Sequence, residues 1–247
     1  NTLAKGFSGV RVAVVETLLA LLNKNVTPIV PCQGSLGSSG DLGPLSHLAL
    51  VFTTDEEDID AQSGQARFEG QILSGKRAME KAGIDRIVLG AKEGLALNNG
   101  ATFSAAIGAL AVHDAETLLK VGEVSLAMTL EAVMGCLAAF DQRLHQARGH
   151  AGQLRVAEAI QAYTKGSSLI DGYGRVQDAY SLRCAPQVQG IGWDTLAFVS
   201  GVIEIEVNAA TDNPLLFELG IALSGGNFHG EPVGLVMDYL GIALAEL

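Results

Sequence analysis

Apolar residues recur at helical spacing through most of the chain. Near the amino terminus they fall three and four positions apart, which predicts an amphipathic helix over 2–23. Asp41 is typical of a helix N-cap, so a second helix is predicted from there through Leu50, with Pro44 in its first turn. The same periodicity predicts further helices over 72–82, over 102–140 in one or two pieces, over 151–163 and over 193–210. The fold class is therefore mainly α, a bundle of long helices with functional loops between them.

Two short segments break the helical pattern. A short hairpin is predicted around 66–68, within an acidic and polar connection. A two-stranded turn is predicted over 215–224, because Glu218–Gly220 separates two short apolar runs. We find no internal repeat and no low-complexity linker.

The composition narrows the classes of partner. Hydrophobic residues make up 48% of the chain and charged residues only 17%, which indicates helices buried on several sides, against other subunits. The formal net charge of −11 argues against nucleic acid and against an anionic membrane surface. The uncharged stretch 94–113 is long enough to span a membrane, but its asparagines, serine and threonine favour a buried soluble segment. No membrane partner is therefore predicted.

Cysteine and histidine spacing gives no sign of a cross-link or a metal site. Cys32, Cys136 and Cys184 lie far apart without a CxxC pair, and the five histidines lack metal-ligand spacing. There is no secretory signal pattern at the amino terminus. These features favour a cytoplasmic protein without a metal.

The most unusual segment is Gly34–Asp41, which reads Gly-Ser-Leu-Gly-Ser-Ser-Gly-Asp. By composition alone this run is typical of a flexible loop, and its spacing fits neither a nucleophile elbow nor a phosphate-binding loop. Its glycines allow a tight turn, and the amide nitrogen of Gly40 is unshielded by a side chain. That nitrogen could attack the carbonyl group of Ser38. Loss of water from the ring and from Ser39 would leave a methylidene-imidazolone with an electrophilic carbon.

The neighbourhood of this loop resembles a known signature. The segment Pro28–His47 is similar to the signature of the histidine and phenylalanine ammonia-lyase family, in which an Ala-Ser-Gly triad cyclises in this way. Five further segments resemble blocks of the same family in the same order: Asn1–Arg11, Lys92–Gly100, Gln177–Gln187, Ala210–Leu215 and Ser224–Pro232. Ser38 stands where the family has Ala, and Asn98 and Ala101 stand where it has an aliphatic residue and Thr.

The resemblance implies a set of site residues. The catalytic residues would be Ser38, Ser39, Gly40 and Tyr180, the substrate-binding residues Asn99, Gln177, Arg183 and Phe228, and a supporting residue Asp41. The prosthetic group would be 4-methylidene-imidazol-5-one, formed autocatalytically from Ser38-Ser39-Gly40, with no metal or diffusible cofactor. Arg183 would hold the substrate carboxylate, since a guanidinium pairs with a carboxylate through two hydrogen bonds.

Each of these residues also has an ordinary structural interpretation. Arg183 could form a salt bridge, and Gln177 and Tyr180 could make buried hydrogen bonds. If their segment is helical, these three residues lie on roughly one face of it. Asn99 before Gly100 could be a turn residue, and Phe228 could belong to the core.

The resemblance also implies an activity and an assembly. The protein is expected to be an ammonia-lyase acting on an aromatic amino acid, with histidine favoured and urocanate as its product, and to form a homotetramer with shared active sites. A phenylalanine or tyrosine ammonia-lyase, or an aminomutase of the same family, is the close alternative, and a non-catalytic helical scaffold is the alternative from another class. Residues 1–247 are expected to be the central part of a single domain, inactive alone, because the family's tyrosine base lies upstream.

Overall fold

A computed structural model describes residues 1–247. The chain is mainly helical, as the sequence predicts. The α-helices are α1 (Val12–Asn23), α2 (Leu42–Phe52), α3 (Gly75–Ala82), α4 (Glu93–Asn98), α5 (Thr102–Ala132), α6 (Gln142–Arg148), α7 (Ala151–Tyr163), α8 (Tyr180–Arg183), α9 (Ala185–Glu206) and α10 (Glu231–Leu244). Short 3-10 helices lie at Leu3–Lys5, Asp60–Gln62, Leu137–Phe140 and Glu218–Gly220.

The strands are short and form three small sheets. They are β1 (Thr27–Pro28), β2 (Thr53–Thr54), β3 (Gln65–Phe68), β4 (Gln71–Ser74), β5 (Ile87–Val88), β6 (Leu215–Leu216) and β7 (Ala222–Leu223). The order β1-β3-β4 is antiparallel, β2 pairs with β5 in parallel, and β6 pairs with β7 antiparallel. Both hairpins predicted from the sequence are thereby confirmed.

Two predicted helices begin later than expected. The helix predicted over 2–23 is wrong before Val12, because Gly6 and Gly9 adopt left-handed φ values of 81° and 69° that end the first helical turn and separate it from α1. The helix predicted over 72–82 begins only at Gly75, since the preceding residues pair in β4. Ser74 caps α3, its hydroxyl accepting a hydrogen bond from the amide of Arg77 at 3.4 Å.

Helix α5 runs without interruption through two glycines that the sequence suggested as breaks. A Cβ atom on Gly108 would lie 3.1 Å from Ile203 Cδ1, and one on Gly122 would lie 2.9 Å from Leu247 Cδ1. These glycines therefore leave room for a side chain of α9 and for one that follows α10, and they do not break the helix. The helix ends at Ala132, earlier than the predicted limit of 140, and α9 begins eight positions before the predicted start.

The chain divides into two compact units. Unit 1 comprises Asn1–Ile107 and Glu204–Val233, and unit 2 comprises Gly108–Ile203 and Gly234–Leu247. The core of unit 1 lies between its helices and the three-stranded sheet, with Val14, Val51 and Phe52 fully buried. The assignment of the whole chain to one domain stays a prediction.

Unit 2 has a core of aliphatic side chains from its long helices. Its fully buried or nearly buried residues include Leu119, Leu130, Val156, Ile160 and Val199. Helices α7 and α9 come into backbone contact within this unit. A Cβ atom on Gly152 would lie only 2.0 Å from the carbonyl oxygen of Gly190, so the crossing requires glycine.

The stretch Glu93–Ala132 is long and apolar enough to cross a membrane by length and composition, and a third of its most apolar window is buried within the chain. It consists of two helices, because α4 ends at Asn98 and α5 begins at Thr102. Its assignment as a buried soluble segment stays a prediction.

Candidate active site

The serine loop, residues 34–40, lies between β1 and α2 and closes on itself. The amide of Leu36 donates to the carbonyl oxygen of Gly40 at 3.0 Å, and Gly37 has a left-handed φ of 76°. A Cβ atom on Gly40 would lie 2.8 Å from the carbonyl oxygen of Gly37 and 2.9 Å from Ser35 Oγ. Position 40 therefore has no room for a side chain.

The carbonyl group of Ser38 is held from outside the serine loop. The amide of Gly230 donates a hydrogen bond of 2.7 Å to the carbonyl oxygen of Ser38. Gly230 immediately precedes α10, and a Cβ atom there would lie 3.4 Å from the same oxygen. The side chain of Ser38 is exposed. The hydrogen bond from Gly230 thus fixes the carbonyl group of Ser38, which the Gly40 nitrogen would attack in the predicted ring closure.

The side chain of Ser39 contacts Asn99. Ser39 Oγ donates to Asn99 Oδ1 at 2.9 Å, and Asn99 Nδ2 donates to the carbonyl oxygen of Asn213 at 3.3 Å. Asn99 follows the last residue of α4 and is only 9% exposed. The structure therefore brings Asn99 and the serine loop together across 60 positions of sequence.

The backbone next to Asn99 is fixed by a close contact that the sequence analysis missed. Gly100 has a φ of 122°, and a Cβ atom there would lie 2.5 Å from the carbonyl oxygen of Thr211 and 2.8 Å from its hydroxyl. Thr211 is 3% exposed, and its hydroxyl lies 3.4 Å from that of Thr102. Glycine at position 100 is required by both conformation and space.

The Asp41 side chain forms hydrogen bonds with α5 and not with α2, the helix that it was predicted to cap. Helix α2 does follow it, but the Asp41 side chain makes no capping bond to α2. Its carboxylate accepts hydrogen bonds from the amide and the hydroxyl of Ser104, both at 2.8 Å, and from Ser35 Oγ at 2.9 Å. Asp41 is 1% exposed. It therefore joins the serine loop to the first turn of α5, where a negative charge is favourable.

Phe228 lies in the segment between β7 and α10, two residues before Gly230. Both neighbours of Phe228 in the sequence are held by hydrogen bonds. Asn227 Nδ2 donates to the carbonyl oxygen of Ala210 at 3.2 Å, and the amide of His229 donates to the carbonyl oxygen of Gly226 at 2.9 Å. Phe228 is half-buried. It belongs to the same segment that contacts Ser38.

Two ion pairs brace the chain before Asn99. The carboxylate of Glu93 accepts bonds from the Arg11 side chain at 2.7 and 2.9 Å and from the amides of Arg11 at 2.8 Å and Gly90 at 2.6 Å. The Arg11 side chain, together with these amides, lowers the pKa of Glu93 to about 2, although burial acts in the opposite direction. Lys92 pairs with the buried carboxylate of Asp212 and donates to Ser8 O at 3.0 Å. Both pairs fix the start of α4.

Three predicted site residues lie in unit 2. Tyr180 and Arg183 occupy α8, and the Arg183 guanidinium carbon lies 4.3 Å from the centre of the Tyr180 ring. Gln177 precedes the helix, so the expectation of one helical face for all three is wrong for Gln177. Arg183 forms no ion pair, which removes its structural interpretation as a salt bridge, and its Nε is buried without a hydrogen-bond partner in the chain.

The segment before α8 is anchored to the end of α5 by residues that the sequence analysis missed. Asp178 is buried, and its Oδ2 accepts a bond of 2.6 Å from the amide of Cys136. Arg175 donates to the carbonyl oxygens of Val133 at 2.6 Å and Met134 at 3.0 Å, the two residues that follow the last residue of α5. Gln177 lies between these two anchors.

Groups of three or more metal-binding side chains are not found in the chain. The buried His145 has both ring nitrogens occupied, with Nε2 3.1 Å from Ala139 O and Nδ1 2.8 Å from Gln153 Nε2. This histidine is a structural residue.

Comparison with known proteins identifies the family of the chain. The family model for aromatic amino acid lyases matches residues 1–247. The chain belongs to the aromatic amino acid lyase family. The resemblance seen in the sequence is thereby confirmed.

Individual members of the lyase family show how far the similarity extends. The chain is 53% identical over 249 residues to histidine ammonia-lyase of Geobacillus kaustophilus (strain HTA426), covering 100% of this chain and 48% of that protein. Its fold is similar to that of histidine ammonia-lyase from Trypanosoma cruzi, with a TM-score of 0.85 and 39% identity over 100% of this chain and 45% of the other. It is also similar to the phenylalanine aminomutase of Pantoea agglomerans, with a TM-score of 0.88 and 33% identity over 99% and 50%. The chain spans about half the length of the curated relatives it matches.

Proposed function

We propose that the whole protein is an ammonia-lyase that eliminates ammonia from an aromatic amino acid, with L-histidine as substrate and urocanate as product. The observation that carries the proposal is the hydrogen bond between Ser39 and Asn99, beside a Gly40 whose position admits no side chain. Histidine is favoured as substrate because the curated relatives at about half identity are histidine ammonia-lyases.

The serine loop fits the prosthetic group that this reaction needs. Ring closure requires that the amide nitrogen of Gly40 approach the carbonyl carbon of Ser38, and the missing side chain at position 40 leaves that approach open. Ser39 supplies the carbon that becomes the methylidene group. The resulting 4-methylidene-imidazol-5-one would supply an electrophilic carbon for the substrate amine, without a metal or diffusible cofactor.

Polar and aromatic side chains of the predicted site would bind and orient the substrate. Asn99, held by Asn213, presents its amide beside the carbon of Ser39 that would become electrophilic. Arg183 has a buried Nε free of partners in the chain, which suits a carboxylate that accepts two parallel hydrogen bonds. Tyr180, whose ring centre lies 4.3 Å from the Arg183 guanidinium carbon, would be a catalytic residue. Gln177 would bind the substrate, and Phe228 would pack beside the prosthetic group.

The assembly proposed is a cytoplasmic homotetramer with active sites shared between subunits. Its support is the apolar surface of α5, where Leu110, Val121 and Met128 are each more than half exposed. Side chains of this kind favour contact with another protein surface.

A second candidate function is that of an aminomutase, which would use the same prosthetic group and return the amine to the β-carbon. The similarity to phenylalanine and tyrosine aminomutases favours it as the alternative. A phenylalanine or tyrosine ammonia-lyase would differ only in substrate. A helical scaffold without activity is the alternative from another class.

An intact-mass spectrum of the full-length protein tests the proposal. We expect the mass to fall short of the sequence by two waters, and Ser39→Ala to abolish the second loss along with turnover. Ser38→Ala is the matched control, because its side chain takes no part in the ring and both losses should persist. Product analysis then separates urocanate or cinnamate from a β-amino acid. A full-length protein at its unmodified mass contradicts the proposal and favours the scaffold.

A further inference from the structure

We propose that the backbone N–H of Gly230 is the oxyanion donor for closure of the ring in the serine loop. The inference rests on the proposed function, since it names the group that assists formation of the electrophile. The observation behind it is the bond of 2.7 Å from the Gly230 amide to the carbonyl oxygen of Ser38.

The oxygen that accepts this bond is the one on which charge develops. When the Gly40 nitrogen attacks the carbonyl carbon of Ser38, the electron pair of the C=O bond moves onto the oxygen. A donor placed 2.7–3.1 Å from such an oxygen stabilises the transition state more than the ground state, because a bond to a charged acceptor is stronger than one to a neutral acceptor. The Gly230 amide is already at this distance before reaction.

The donor is free for this task because of its place in the chain. Gly230 precedes Glu231, the first residue of α10, so its N–H has no acceptor within the helix. Its carbonyl oxygen instead accepts the amide of Val233 at 3.1 Å, which fixes the orientation of the turn. The donor is therefore held in place by the start of a helix before the reaction begins.

Position 230 is also close enough to the loop to limit its side chain. A Cβ atom on Gly230 would lie 3.4 Å from the carbonyl oxygen of Ser38 and 3.5 Å from Ala101 Cβ. Both are ordinary contact distances. Alanine would thus fit there with the donor retained, whereas a larger side chain would press on the loop.

The Gly230 amide can act only while the prosthetic group forms, because the oxygen that it binds is lost in that reaction. The new bond joins Gly40 N to the carbonyl carbon of Ser38, and the Ser38 oxygen leaves as the first water with hydrogens drawn from the closing ring. The second water takes the Ser39 hydroxyl and the hydrogen from its α-carbon. No oxidant is required. Because the oxygen bound by Gly230 is lost, the donor should affect the rate of ring formation and leave turnover per completed ring nearly unchanged.

An amide-to-ester replacement tests the proposal in the full-length protein. Glycolic acid at position 230 removes the N–H and adds no side chain, and we expect the two-water loss, followed by intact mass after synthesis, to slow by about 100-fold. The matched control is the same glycolic acid replacement at the exposed Gly83, which removes the hydrogen bond from its amide to the carbonyl oxygen of Glu80 at the end of α3 without touching Ser38. Gly230→Ala keeps the donor and should cyclise at the normal rate.

The outcomes separate this proposal from the proposed function. Unmodified mass in the wild-type full-length protein contradicts the proposed function itself. Normal ring formation in the ester at 230, or equal slowing by the esters at 230 and 83, overturns the role of Gly230 alone. Circular dichroism establishes that each compared protein is folded.

Discussion

Asp41 binds Ser104 twice, through the backbone amide and the hydroxyl of that serine, both at 2.8 Å. The carboxylate of a residue adjoining the serine loop thereby satisfies the first turn of α5. The conformation of the loop and the position of α5 are consequently linked through one buried side chain.

We expect Asp41→Asn to lower the stability of the fold and to slow ring formation in the serine loop. An amide offers one acceptor oxygen where the carboxylate has two, so at least one donor among Ser35 and Ser104 is left unpaired at a cost of about 2 kcal/mol. The free energy of unfolding of the full-length protein should fall and the two-water loss should slow. Ser104→Ala, which keeps the backbone bond, should have a smaller effect. Equal behaviour of the two variants would argue against this role for Asp41.

Gly100→Ala should be strongly destabilising. The added Cβ would meet the carbonyl oxygen of Thr211 at 2.5 Å in a backbone conformation that disfavours side chains, for a cost of about 3 kcal/mol. Gly70→Ala is the matched control, since Gly70 has a φ of 77° and open space around it, and should cost about 1 kcal/mol. Urea unfolding of the full-length proteins measures both, and a similar loss in the two would contradict the contact.

Removal of the Asp178 carboxylate should disturb the segment that carries Gln177. In Asp178→Ala the amide of Cys136 loses its acceptor, which costs about 2 kcal/mol and frees the chain before α8. We expect a higher KM for the substrate with a smaller change in kcat. Asp171→Ala, whose carboxylate accepts the amide of Leu137 at an exposed position, is the control. An unchanged KM in Asp178→Ala would refute the anchoring role.

The bonds to Glu93 predict a pH dependence of stability. The folded pKa of about 2 lies below the ordinary value of 4.5, so the stabilisation is complete above pH 4.5 and is lost as the pH falls toward 2. Glu93→Gln should lower the free energy of unfolding at pH 7 by about 3 kcal/mol. The gap from wild type should shrink at pH 3. Glu116→Gln, which breaks an exposed pair with Lys120, should show little effect at either pH.

Arg183→Lys should weaken substrate binding. An ammonium cannot form two parallel bonds with a carboxylate, and loss of one charged hydrogen bond of about 1.5–3 kcal/mol corresponds to a KM about 10- to 100-fold higher. Arg143→Lys provides the control, because Arg143 is exposed and pairs only with Asp141. Steady-state kinetics of the full-length protein decides the matter, and an unchanged KM would exclude Arg183 from carboxylate binding.

The sequence predicted the parts of the site that are local and could not predict their distant partners. Six of the seven residues of the serine loop are glycine or serine, and they are visible in the sequence because the ring closure joins atoms of neighbouring residues. Gly230 and Thr211 contact the site from more than 100 positions away in the sequence. The spacing of apolar residues predicts helices but does not predict such long-range contacts. The one local signal was Gly230-Glu231-Pro232, which is typical of a helix start.

The helical fold was predictable wherever an apolar stripe is long. Helix α7 has the predicted limits because its stripe is regular from Ala151 to Tyr163. Helix α6 was missed since it has only seven residues and few apolar ones, although Asp141 caps it and Gly149 ends it with a φ of 90°. The breaks predicted at Gly108 and Gly122 are wrong. At both positions glycine makes room for a neighbouring side chain, and the helix continues.

The contact between Gly152 and Gly190 makes the placement of α8 depend on the smallest residues in the protein. Helix α9 begins directly after α8, so a methyl group added at the crossing would push the amino-terminal end of α9 outward and carry Arg183 with it. Substrate affinity would then change through a residue that never meets the substrate.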